Sequence, residues 1–166
     1  MDNSNCERIV SELYKFSEEI LELGKPISDD RLEIFEKSIG FNLPYDYKYI
    51  LKKHNGFSLF GTLVYGLDES LRGSSLDIVN NFEHTKVSNK MPPFFVPFSP
   101  DGRGNHYCFN LSRLMNGLCP IVFWQWDYFY GSIEDVETCN DNFLDWVQEI
   151  VIDWTLEDYN YDGSRK

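Results

Sequence analysis

Apolar side chains recur at helical spacing over the first two dozen residues. Ile9, Val10, Leu13, Phe16, Ile20 and Leu23 fall on one stripe, with Gly24 and Pro26 beyond it to stop the turn. The spacing predicts one amphipathic helix over 1–24. A second helix should begin at Ser28 as N-cap, with Asp29 and Asp30 favoured by the dipole in its first turn and Ile27 placed to staple on Leu32. Phe35 and Ile39 carry its apolar face to Gly40. Pro44 suits the first turn of a third helix, whose Tyr47, Ile50 and Leu51 share a side before Asn55-Gly56 supplies a left-handed cap.

Beyond residue 56 the period changes. Residues 57–65 are rich in β-branched and aromatic side chains around Gly61 and read as a strand with a bulge, whereas 75–82 fit helix or strand. Residues 94–98, 107–111 and 120–126 read as three strands of an antiparallel meander, joined by turns at 100–105 and at Asn116-Gly117. The run 121–126 is apolar almost throughout, as a central strand covered on both faces would be. Asn140 or Asp141 is expected to cap a last helix with Phe143, Trp146, Val147, Ile150 and Trp154 as its buried stripe. The acidic tail 155–166 should fray except where its tyrosines anchor it.

The fold class is therefore α+β: N-terminal helices, a central, mainly antiparallel sheet of about five or six strands, and a C-terminal helix packed on the sheet. At 166 residues, with 42% apolar and 16% aromatic residues, one domain spanning 1–166 with one core is expected. The longest apolar run is far shorter than the roughly 20 residues a bilayer span needs, so membrane insertion is not expected. Cys6, Cys108, Cys119 and Cys139 are scattered and follow no hydrophobic leader, which predicts reduced thiols in a cytoplasmic protein.

Charge adds what the hydrophobic pattern does not. The formal net charge of -12 opposes direct nucleic-acid binding. It is also uneven: 114–164 contains no Lys or Arg but holds Asp127, Glu134, Asp135, Glu137, Asp141, Asp145, Glu149, Asp153, Glu157, Asp158 and Asp162.

Candidate chemistry is thin. The loop 101–105 (Asp-Gly-Arg-Gly-Asn) lacks the lysine and following helix of a phosphate cradle and reads as a turn, with Arg103 placed to pair with Asp101. His106 and Cys108 share a strand face, as a base and nucleophile could, but no orienting third residue is evident; a packed thiol beside a rim histidine is the plainer reading. His54, His84 and His106 are far apart and no cysteine pair has zinc-finger spacing, so no metal, cofactor or catalytic residue is expected.

The final helix says more. Asp141, Asp145, Glu149 and Asp153 recur every four residues, and like charges at that spacing each cost a few tenths of a kcal/mol (roughly 0.2–0.5). A solvated face of an acidic protein is one reading of this ridge; a docking surface for a basic partner is the other. Trp124, Trp126, Tyr128, Phe129 and Tyr130 cluster with Asp127 just before it, a mixture suited to interface anchors. Most of these aromatics are expected in the core, with Tyr128 and Tyr130 the exposed pair. The candidate partner-binding set is Asp127, Tyr128, Tyr130, Glu134, Asp135, Glu137, Asp141, Asp145, Glu149 and Asp153.

Taken in order, several short motifs resemble the SUKH superfamily, which joins a yeast cell-wall-assembly regulator with many bacterial immunity proteins. They begin in 27–56, with Leu32, Phe35, Glu36, Ile39-Gly40, Leu43-Pro44, Asp46-Tyr47, Leu51 and Asn55-Gly56. They continue in Val96-Pro97, Asp101-Gly102, Gly104-Asn105, Trp126-Asp127 and Asn142-Phe143-Leu144. The chain departs at Phe57, where the family often carries Gly, and at Trp126, where a His often precedes the acidic residue. The resemblance implies an immunity protein that binds and neutralises a toxin delivered by neighbouring bacteria, often a nuclease. A basic nuclease surface would match the charge. A regulatory or scaffold module like the yeast relative is the alternative.

Overall fold

The computed structural model describes residues 2–68 and 71–166. Helix α1 (Ser4–Leu13) buries Cys6, Ile9, Val10 and Leu13, but it stops far short of residue 24. Met1 of the expected helix lies outside the described residues. Past Leu13 the N–H of Ser17 goes to Tyr161 O at 2.8 Å, and Leu21–Leu23 forms strand β1, paired antiparallel with β2 (Phe57–Leu59). The spacing of Ile20 and Leu23 suits either state, and pairing with a distant strand overrides local propensity. Gly24 is required by a close pass: a Cβ there would lie 2.1 Å from Asn55 O.

Helix α2 (Asp29–Ile39) has the expected ends: Ser28 Oγ accepts from Arg31 N at 3.3 Å, and Gly40 is left-handed at φ +75°. Helix α3 (Tyr45–Lys53) follows, and Asn55 clamps the main chain of Leu67 from both ends of its amide, at 2.5 and 2.7 Å. Residues 57–65 are two strands rather than one bulged strand. β2 and β3 (Thr62–Val64) form a hairpin with Leu59 opposite Thr62, and its two turn residues, Phe60 and Gly61, both have positive φ (48° and 96°). That is the tight connection whose twist matches paired strands. The ambiguous 75–82 segment lies in helix α4 (Leu76–Thr85).

Strands β4 (Phe95–Pro100), β5 (His106–Asn110), β6 (Ile121–Trp124) and β7 (Glu137–Asn140) form an antiparallel sheet in that order. The expected single sheet of five or six strands is thus two sheets, of three strands and four. They meet where Tyr65 N donates to Phe98 O at 2.8 Å and the Tyr47 hydroxyl to Tyr65 O. Both faces of the larger sheet are covered, as the apolar run of β6 predicts. On one face Tyr47, Phe98, Phe109, Phe143 and Trp146 interlock, with Phe98 and Phe109 stacked at 4.3 Å and Phe98 and Trp146 edge-to-face at 4.8 Å. On the other, Met91, Phe95, Cys108, Val122, Trp124 and Val136 form a smaller cluster.

The C-terminal helix is capped by Asn142, not by Asn140 or Asp141: its Oδ1 accepts from Asp145 N at 2.9 Å. From α5 (Phe143–Trp146) it passes through a π-helical stretch (Val147–Asp153) into α6 (Trp154–Asp158). Bonds closed five residues apart turn the chain less per residue. Trp154, four beyond Ile150, therefore falls short of the buried stripe and stands 52% exposed, while Val151 and Ile152 are buried. The tail is docked by its tyrosines, Tyr161 on Phe16 at 4.8 Å and Tyr159 on Phe60 at 4.1 Å.

Candidate functional site

The segment from β6 to β7 presents the most unusual surface. β6 ends at Trp124, whose ring is buried and packs on Tyr130 at 4.8 Å; the chain then loops outward. Trp126 is 54% exposed and Phe129 78%, so Trp126 stands outside the core in which the apolar run 121–126 placed it, and Phe129 outside the core expected for most of this aromatic cluster. Tyr128 is exposed as expected. Tyr130 is half-buried, its hydroxyl accepting from Gln125 N at 3.0 Å, so it braces the loop instead of facing solvent.

Two other segments hold this loop, the turn 101–105 and Asn89. Asp101 accepts from the N–H groups of Arg103 (2.7 Å) and Asn105 (3.0 Å) and from the Asn105 amide (2.7 Å). These bonds keep its carboxyl below the usual range despite partial burial. The expected Asp101–Arg103 ion pair is replaced by this main-chain clasp. Asn105 Oδ1 in turn accepts from Trp126 N at 3.2 Å, and Arg103 O accepts the Trp126 indole N–H at 3.1 Å. From the other side Asn89 Nδ2 donates to Trp126 O and Tyr128 O, at 3.0 and 2.9 Å. Gly104, at φ +93°, lies against the ring: a Cβ there would sit 2.7 Å from Trp126 Cδ1. An exposed indole fixed by hydrogen bonds has little conformational freedom left to lose on binding.

The candidate carboxylates Asp127, Glu134, Asp135, Glu137, Asp141, Asp145, Glu149 and Asp153 are all exposed, but they are not gathered around these aromatics: Asp145 shares a pocket with Asp2 and Arg8, and Gln148, which holds Asp153, is itself bonded to Arg8 of α1. Ser132 and Asp135 form a capping box that fixes the short turn Ile133–Asp135. The ridge is not a plain helical row. Asp141 precedes the helix, and Glu149 and Asp153 lie in the π-helical stretch, where residues four apart fall short of a full turn. Three of its members are held by neutral amides: Asp145 by Asn142 Nδ2 (2.6 Å), Glu149 by Asn140 Nδ2 (2.6 Å) and Asp153 by Gln148 Nε2 (2.7 Å). Their positions are fixed while their charge is left uncancelled.

His106 and Cys108 do share a face, but that face is sealed. Cys108 is fully buried and burial pushes its thiol well above its ordinary value, so it offers no thiolate near neutrality. His106 is not at a rim. Burial pulls it down to about 4, and its Nδ1 lies 3.8 Å from Glu83 Oε1 on α4. Among the described residues there is no group of three or more side chains placed to hold a metal ion, and no helix is long and apolar enough to cross a membrane.

Residue reasoning missed Trp126 and Phe129 as exposed anchors and Asn89 as their support. A tryptophan ending an apolar run looks like core. The one available signal was glycine at 104, two residues before a strand.

A protein from Pseudomonas syringae pv. tomato, known from its crystal structure, is similar in fold: TM-score 0.59 at 14% identity, over 87% of this chain and 96% of that one. The model of the SMI1/KNR4 family (SUKH-1) matches residues 26–149, which take in the Asn55 clamp, the Asp101 clasp and the loop it holds. The chain belongs to the SMI1/KNR4 (SUKH-1) family.

Proposed function

We propose that this chain is a cytoplasmic immunity protein that binds a cognate bacterial toxin through the 126–153 surface and neutralises it by covering the toxin's own working surface, without turnover. The observation that carries the reading is the exposed, clasped Trp126 within a stretch, 114–164, that holds eleven carboxylates and no Lys or Arg. Interface energy concentrates in buried aromatic anchors, and complementary charge speeds encounter. A nuclease fits best, because it must present basic surface to a phosphate backbone. Trp126 also stands where the family often has His, as a position that selects one partner would.

Co-expression with the toxic domain encoded beside this gene tests the proposal, scoring survival and co-purification together. Rescue with a stable complex is expected. Failure of both, with that toxin shown to be active, refutes the immunity role and leaves a regulatory binding module as the reading to pursue.

A further inference from the structure

The outer side of β7 is an open sheet edge. β7 ends the four-stranded sheet, and among the described residues the main-chain groups of Glu137–Asn140 are bonded only to β6. Such an edge is a template for another strand unless charge, Pro, a bulge, short length or a covering element blunts it. β7 has neither Lys nor Pro; it is guarded by its four-residue length, by the bulge opposite Ile121 and Val122, and by Glu137, whose charge an incoming cationic residue would neutralise.

Register fixes what lies on either side of that edge. Phe123 opposite Glu137 and Ile121 opposite Asn140 place those two residues on the side of the C-terminal helix, where Asn140 holds Glu149. Val122 opposite Thr138 places Thr138 on the other side, where it lines a cavity of about 430 Å³ together with Phe95, Val122, Ile133 and Val136 and with the charged Arg113 and Glu134. A strand laid along β7 would set side chains against carboxylates on one side and, on the other, against a partly apolar surface whose Arg113 disfavours a cation.

We infer that the β7 edge accepts an extended segment of a protein partner in which cationic and aliphatic residues alternate. Main-chain hydrogen bonds would supply the affinity and the two-sided register the selectivity. The same charge argues against a second copy of this chain, whose own edge would bring Glu137 and a net charge of -12 to the contact. The inference rests on the reading of this side of the molecule as a protein-docking surface, and it adds the mode of docking.

The test uses the full chain, isotope-labelled, and a blocked octapeptide of alternating Lys and Val, with amide hydrogen exchange read by NMR. At saturation the outward-facing amides of β7 should slow about tenfold or more, while N-methylation of alternate peptide residues should weaken binding by about tenfold, as loss of one or two hydrogen bonds would. Glu137→Lys should weaken it severalfold. Unchanged β7 exchange, absence of binding, or equal binding of the N-methylated peptide overturns the inference. No toxin enters this assay, so its failure is separable from that of the immunity reading: toxin rescue without β7 protection discards the edge alone.

Discussion

Replacing Asp46 with Asn should change how stability depends on pH. Asp46 is 1% exposed, accepting from Tyr47 N at 2.9 Å and from Leu144 N at 3.4 Å where the last helix begins. Burial pushes its carboxyl up to about 6, with the N–H groups pulling the other way. The folded state therefore binds the proton more tightly than the unfolded chain, and the contribution of this group to stability is lost as pH rises from about 4 through 6. At about 1.36 kcal/mol per tenfold step in proton affinity, the loss is about 3 kcal/mol by pH 7. His106, held down to about 4 by burial, works in the opposite sense: its contribution is lost as pH falls from 6.5 through 4, by a similar amount. The two nearly cancel in the parent. Asp46→Asn removes one side of the balance and leaves the Leu144 N–H facing an amide N–H₂, a pH-independent penalty of roughly 1–3 kcal/mol. Urea unfolding from pH 4 to 7.5 should show the variant gaining about 3 kcal/mol on the parent as pH rises, enough to erase or reverse its deficit, and His106→Gln should show the opposite trend against the parent. Curves parallel to the parent for both variants would refute the assignment of these groups as opposing buried titrants.

Further expectations concern the surface. About half of the Trp126 ring is free to be covered, which at about 25 cal/mol per Å² corresponds to about 3 kcal/mol and about two decades in toxin Kd; Trp126→Ala should lose that in calorimetric titration while the helical circular dichroism stays unchanged. Gly104→Ala should displace the indole, seen as a red shift of tryptophan emission and a stability loss of about 1–3 kcal/mol by urea unfolding. Reversing Asp145 and Glu149 to Lys should slow association with a basic toxin and flatten its salt dependence in stopped-flow mixing; unchanged rates would remove the ridge from the interface.

Much of the frame can be read from residues alone, since its signals are local. The Ser28 cap, Gly40, the meander and the stripe from Phe143 to Ile150 each follow from neighbours within one turn or one hairpin. What escapes such reading is set by distant partners. β1 exists because Leu21–Leu23 pairs with β2, and β7, whose sequence is Glu-Thr-Cys-Asn, has no alternation of its own to announce it. Trp154 is displaced by a helical irregularity that leaves no mark in composition. The acidic surface was legible because it depends on residue type. Its aromatic centre was not, because the bonds that fix Trp126 at the surface come from Asn89, Arg103 and Asn105, all distant in sequence.

Those bonds reach the loop mainly at its main chain: the N–H and carbonyl of Trp126 and the carbonyl of Tyr128. Only the indole N–H uses a side chain. The loop is thus a socket keyed to one side chain, Trp126, whose other fittings do not depend on what is plugged into 127–129. The side chains of 127–129 can be exchanged while the holder beneath keeps its shape, so the chemistry this surface presents is free to drift where the fold is not.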